Sequence, residues 1–262
     1  MGRQTSGKLY WCFFNYYNVS NKNLAGHGWS DLTLSDPKAQ GTWHVGPFKD
    51  PNFGSKRLNN YMFEIPEKWA KTYVGGKRLA CGDGDGCGSG GVSHGPSICA
   101  YGPWQDGDPP RDNAELSATI LLMYPPSGNH MRPAWTNGDA HRGAAWLTAG
   151  EKSAVVISLR KALGRGFYGI SRKGGESGGK GYHFTPYEAR LYFYDPAELA
   201  EVAQGKRKHY EVVPYAAYRP GESLWPTLGG NSPGALACDS KRRLLYLGQG
   251  RGEKPLLHVF RF

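Results

Sequence analysis

His141-Arg142-Gly143-Ala144-Ala145-Trp146-Leu147 has two counterparts in the same chain. They are Ser93-His94-Gly95-Pro96-Ser97-Ile98-Cys99-Ala100 and Asn231-Ser232-Pro233-Gly234-Ala235-Leu236-Ala237-Cys238. Each runs from a polar loop through a glycine into small and apolar residues, the pattern of a buried strand. The three glycines are 48 and 91 residues apart, close to one and two units of a β-propeller blade, whose period is roughly 40–50 residues. In that architecture the first strand of each blade lines a central channel, and the loop before it opens at the channel mouth. Three such strands predict an all-β fold and bring the residues before the three glycines to one place.

The rest of the chain agrees with this reading. Runs rich in β-branched and aromatic residues fall at Leu9–Phe14, Thr119–Tyr124, Ala154–Leu159, Ala189–Tyr194, Leu244–Leu247 and Leu256–Phe260, bounded by Gly, Pro, Asn and Asp. A second similarity links Phe63-Glu64-Ile65-Pro66-Glu67-Lys68-Trp69-Ala70 to Phe193-Tyr194-Asp195-Pro196-Ala197-Glu198-Leu199-Ala200 at an offset of 130, which Gly75 and Gly205 keep. Each copy reads as a strand stopped by proline and followed by a short helix with acids at its start. The two series do not share one period, so the expectation is a single domain over 1–262: a β-propeller of four or five blades. The last blade has three recognisable strands. Its outer strand would come from Lys8–Phe14, or from a segment outside this chain if the propeller is incomplete at its N-terminus.

Composition narrows the partners. Glycine (38) and proline (18) together stay near a fifth of the chain, below the level of a disordered sequence. No apolar run approaches the ~20 residues of a membrane-spanning helix. The net charge of +10 favours polyanions, an acidic polysaccharide among them. No zinc finger, RNP sequence or basic helix points to nucleic acid. Nucleophile-elbow, P-loop and dinucleotide signatures are absent as well.

Five cysteines cannot all pair within the chain. Cys12, Cys99 and Cys238 lie in apolar strands and read as small buried residues. Cys81 and Cys87 flank Gly82-Asp83-Gly84-Asp85-Gly86. That loop reads as a disulfide-closed turn, as a calcium loop using Asp83 and Asp85, or as a plain glycine turn. Two carboxylates are few for calcium, so calcium is a weak candidate and no other cofactor is expected.

Asn59-Asn60-Tyr61-Met62-Phe63-Glu64-Ile65-Pro66, Gly143–Thr148 with Lys152–Val156, Tyr194–Ala200 and the ending Lys254–Phe260 resemble a group of uncharacterised, secreted bacterial proteins of β-propeller type. The resemblance runs from about Lys8 to the end. It implies the propeller fold and an extracellular or cell-surface setting. It implies no activity and no catalytic residue.

If the glycine strands are inner strands, His94, His141, Arg142 and Asn231 face one funnel, with Trp135 available to stack on a sugar ring. Tyr182, His183 and Tyr187, after the glycine-rich stretch Gly174–Gly181, would add phenols and an imidazole. Three function classes follow. The first is a binder of a polysaccharide, acidic or otherwise, at the channel mouth. The second is a polysaccharide lyase, in which Arg142 neutralises a uronate and a histidine or tyrosine removes the adjacent proton. A glycoside hydrolase belongs to the same class and needs two carboxylates, for which Asp31, Glu64, Asp139 and Glu188 are candidates. The third is a rigid protein-interaction platform.

Overall fold

The computed structural model describes residues 8–13, 25–33, 35–45, 58, 60–83, 95–102, 114–124, 134–136, 138–170, 180–221, 223–224, 232–250 and 254–262. These residues form an all-β protein with two short helices. The first sheet holds β1 (Lys8–Cys12), β2 (His27–Asp31) and β3 (Ala39–Val45). Its fourth strand is β7 (Glu115–Leu116), which runs parallel to β3. The second is an antiparallel sheet of β4 (Tyr61–Glu64), β5 (Leu79–Gly82), β6 (Ile98–Tyr101) and β8 (Thr119–Leu122), in that order. The third runs β9 (Ala140–Ala149), β10 (Lys152–Ala162), β13 (Tyr187–Tyr194) and β14 (Ala216–Tyr218). A two-stranded ribbon of β11 (Phe167–Ile170) and β12 (Lys180–His183) is inserted after β10. The fourth sheet has three described strands, β15 (Leu236–Asp239), β16 (Leu244–Gln249) and β17 (Leu256–Arg261); the expected outer strand from Lys8–Phe14 is not among them, because Lys8–Cys12 pairs with β2 in the first sheet.

Side-chain alternation decides how the sheets stack. On β6, Ile98 and Ala100 enter one core while Cys99 and Tyr101 enter another. On β10, Val155, Ile157 and Leu159 face one way and Val156 the other. Strands buried on both faces lie inside a stack. One core joins sheets one and two through Tyr10, Trp29, Trp43, Leu79 and Cys81. The next joins sheets two and three through Phe63, Ile65, Leu122, Trp146, Ile157 and Tyr194. The last joins sheets three and four through Ala145, Leu147, Val156, Leu245 and Leu247. The sheets therefore stack face to face in chain order.

The strand–proline–helix similarity is real at the local level. The helix α1 (Glu67–Tyr73) follows β4, and α2 (Pro196–Ala203) follows β13. Asp195 caps α2 by accepting from the Ala197 N–H at 2.8 Å, and Pro196 occupies the first turn, where its missing N–H costs nothing. Gly75 and Gly205 end the two helices at φ 64° and 72°. The helices meet: Trp69 Nε1 donates to the Pro196 carbonyl oxygen at 3.3 Å. However, β4 is the first strand of its sheet and β13 the third, so the offset of 130 is no blade period.

The glycine series needs the same correction. β9 and β15 occupy corresponding first positions in sheets three and four. β6, which follows Gly95, is the third strand of sheet two, and β4 takes the first position there. The sequence pattern marks small residues where a strand is buried on both faces, and β6 meets that condition as an interior strand.

One buried ion pair anchors the start of the third sheet. Lys161 Nζ lies 2.7 Å from Asp139 Oδ2, and Asp139 is fully buried. The Asp139 carboxylate also accepts from the Thr136 N–H (2.9 Å), the Thr136 hydroxyl (3.0 Å) and the Ala162 N–H (2.9 Å). Burial pushes its carboxyl above the usual range, against the opposing effect of Lys161 and these hydrogen bonds. The group is fully satisfied, which assigns it to architecture. Asp139→Asn leaves the Lys161 ammonium buried without a counter-charge. We expect a loss of about 3–5 kcal/mol in urea unfolding; a loss of under ~0.5 kcal/mol would mean that the pair is not needed.

Candidate functional site

Among the described residues β4, β9 and β15 are each the terminal strand of a sheet, and one backbone edge of each has no ladder partner there. The three edges surround a cavity of about 380 Å³. Its walls are Met62–Pro66 and Leu79 on one side, Ala144–Trp146 and Thr148 on the second, and Leu236–Cys238 with Ser240 on the third.

The hairpin registers say which backbone groups turn toward it. β9 and β10 are joined by the two-residue turn Gly150-Glu151, with Ala149 opposite Lys152. Gly150 has φ 62°, which the first central position of such a turn requires. Hydrogen-bonded and non-hydrogen-bonded pairs alternate from the turn. Counting from it, the N–H and C=O groups of Ala144, Trp146 and Thr148 point away from β10. These three residues line the cavity. On β4, the Ile65 N–H donates to the Arg78 carbonyl oxygen at 2.7 Å, and the same alternation turns Met62 and Glu64 outward. The cavity thus presents rows of donors and acceptors set by main-chain geometry.

Small residues bring the edges close. A Cβ on Gly143 would lie 2.4 Å from the Leu236 nitrogen, inside any real contact, so only glycine admits β15 there. Ser158, fully buried on β10, donates to the Gly234 carbonyl oxygen at 2.6 Å and ties sheet three to the entry of β15. Two of the three glycine segments read from the sequence therefore touch, Gly143 lying against Ala235 and Leu236.

The polar side chains at the cavity are few. Glu64 is the one charged residue of its lining. Thr148 shares a hydrogen bond with Ser153 at 3.2 Å, and Cys238 with Ser240 at 3.5 Å. Burial pushes the Cys238 thiol up, with the Ser240 hydrogen bond acting the other way. Trp146 sits edge-on to Trp69, their ring centres 5.2 Å apart.

The residues singled out from the sequence distribute differently. His94 and Asn231 lie outside the described residues, as do Asp85, Cys87 and 174–179 of the glycine-rich stretch. His141 is fully buried on β9, its ring 5.2 Å from that of Trp135. Arg142 follows it, half-buried, beside the bulge at Ser158 and Leu159. Neither lines the cavity. Trp135 is a core residue stacked on Tyr124 at 5.3 Å. His183, on β12, places Nε2 3.0 Å from the Gly169 carbonyl oxygen, and Tyr182 precedes it in the strand. On β13, Tyr187 lies under the Arg160 guanidinium at 4.1 Å, and its hydroxyl accepts from the Phe184 N–H at 3.0 Å. His183 thus ties the two ribbon strands to each other, and Tyr187 links the residue after the ribbon to the end of sheet three.

Of the four candidate acids, Asp31 pairs with Lys8, Asp139 with Lys161, and Glu188 with Arg190 and Arg219. Glu64 alone reaches the cavity. Asp83 is buried, and its N–H donates to the Pro96 carbonyl oxygen at 2.8 Å. Among the described residues no three His, Cys, Asp or Glu side chains gather as metal ligands would. Cys81 is a free buried thiol whose cross-strand neighbour is Cys99. Burial pushes both thiols up. Thr148, Ser240 and Met62 were not singled out in the sequence. Their signal is positional, since each follows from knowing which strand begins a sheet.

The chain matches no protein-family model, no curated protein and no solved structure. The geometry alone carries the functional argument.

A thiol probe checks the cavity directly. Cys238 borders it and is half-buried, whereas Cys81 and Cys99 are fully enclosed. In the native protein a small maleimide is expected to label Cys238 well ahead of Cys81 and Cys99. Equal labelling of the three would show that no such opening exists.

Proposed function

We propose that this chain is a β-propeller binding protein that acts outside the cell and holds a carbohydrate in the cavity between β4, β9 and β15. The propeller reading draws support from four sheets stacked in chain order, three of which turn their first strand to one cavity. The observation that carries the binding reading is the lining itself. Free sheet edges offer alternating donors and acceptors, and sugar hydroxyls both donate and accept. The volume falls within the roughly 300–1,000 Å³ of small-molecule sites.

The charge pattern refines the ligand. Among the described residues the cavity lining carries no Lys, Arg or His to meet a uronate carboxylate. The cavity itself is therefore suited to a neutral sugar unit. The net charge of +10 draws any acidic groups of the same polysaccharide to the surface. A lyase would need Arg142 and His141 at the bound sugar, and a hydrolase would need a second carboxylate within ~5–10 Å of Glu64. Among the described residues the cavity lining contains neither Arg142 with His141 nor a second carboxylate, which favours the binding reading.

Calorimetry with neutral and uronate-containing oligosaccharides tests the proposal. Neutral saccharides are expected to bind, and Ala237→Trp, which fills the cavity from an exposed position, to weaken them by about tenfold or more (~1.4 kcal/mol). Binding of uronate saccharides alone, or binding indifferent to Ala237→Trp, would reject it.

A further inference from the structure

Among the described residues sheet four has three strands where the other three sheets have four, and no described strand pairs with the outer edge of β17. Natural edges are blunted by prolines, bulges, short length or charged side chains. β17 has no proline or bulge within its six residues, which pair with β16 in unbroken register, from Leu244 opposite Arg261 to Gln249 opposite Leu256, and its one Lys, Arg, Asp or Glu is the terminal Arg261. The Phe262 N–H donates to the Arg243 carbonyl oxygen at 3.1 Å. Alternation from that bond turns the backbone groups of Leu257, Val259 and Arg261 outward. The side chains of Leu257 and Val259 are 64% and 53% exposed, an apolar face beside an open ladder. Phe260 packs edge-on to Tyr218 of β14, ring centres 6.2 Å apart, which rigidifies the strand from within.

Charge selects the occupant. Arg261 and Lys254 lie on or beside the strand, and Lys241, Arg242 and Arg243 form the turn next to its end; all five are exposed. Asp239 offsets Arg242 through a 3.0 Å ion pair, and the edge stays strongly basic. A second copy would bring the same basic edge and be repelled. We infer that β17 docks an extended acidic segment of another protein, which adds as the fourth strand of this sheet. Its main chain would pair with the outward groups of Leu257, Val259 and Arg261. Apolar side chains would cover Leu257 and Val259, and carboxylates would meet the flanking cations. The site is separate from the carbohydrate cavity and does not depend on it.

The test uses the full chain and a synthetic eight-residue peptide alternating glutamate with valine. The controls are the same peptide with lysine for glutamate and the same peptide with one central proline. The acidic peptide is expected to bind, at least about tenfold more weakly at high salt than at low salt, while both controls fail. Val259→Pro removes an outward N–H without touching the ladder to β16 and is expected to abolish binding. Val259→Lys, which keeps the backbone, should weaken it. Amide exchange in the free protein should be fast at Leu257, Val259 and Arg261. Slow exchange there, or a concentration-dependent dimer lost in Val259→Pro, would mean that the chain itself covers the edge, and would overturn the inference. Equal binding of the lysine peptide would overturn it as well.

Discussion

A side chain at Gly143 would collide with the backbone of Leu236 at 2.4 Å, and this close approach sets the geometry of the whole central region. Because β9 carries no Cβ there, β15 can lie against it, and the Ser158 hydroxyl can reach the Gly234 carbonyl. The third and fourth sheets then close over Ala145, Leu147, Val156 and Leu245. With β4 on the other side, the free edges of three sheets enclose one cavity. Even a methyl group at Gly143 would force a shift of backbone, an overpacking cost of about 1–3 kcal/mol, and would move the wall that gives the cavity its width. Sheet stacking and cavity lining thus follow from one steric condition.

The acids and bases divide between structure and surface in a consistent way. Asp139 and Lys161 are enclosed and fully bonded. Arg160 and Tyr187, together with Glu188, Arg190 and Arg219, hold the far end of the third sheet. Among the described residues Lys241, Arg242, Arg243, Lys254 and Arg261 are exposed and gather around β17. Burial of a charge is tolerated only where its partners are supplied; the interior holds the Asp139–Lys161 pair, and among the described residues Glu64 is the charged group of the cavity lining. That separation distinguishes a polar but nearly uncharged pocket from a basic exterior edge, and the two suit different ligands.

Much of the architecture was legible in the sequence. The strand runs at Ala154–Leu159 and Ala189–Tyr194 lie within β10 and β13, and the proline-stopped strands before α1 and α2 sit where their residues placed them. Alternation and turn chemistry are local, and local rules sufficed. The position of a strand within its sheet was not legible. Gly95 looked like Gly143 because each lies before small and apolar residues of a strand buried on two faces, yet one strand is interior and the other an edge. The site suffered from the same ambiguity. His141 and Trp135 drew attention as polar-tipped and aromatic residues, and both pack into the core. Glu64 was among the acids considered, but the sequence could not rank it above Asp139 or Glu188, because only the sheet order puts its strand at a free edge. Thr148 and Ser240 carry no chemical signature at all.

The most direct test of the central claim follows backbone amide resonances while a neutral oligosaccharide is added. If the free edges form the binding surface, the shifts will concentrate at Met62, Glu64, Ala144, Trp146 and Thr148, whose N–H groups turn toward the cavity. Shifts centred instead on Arg142, Arg160 and Tyr187, with these five amides unmoved, would place binding at the far end of the third sheet and contradict the account.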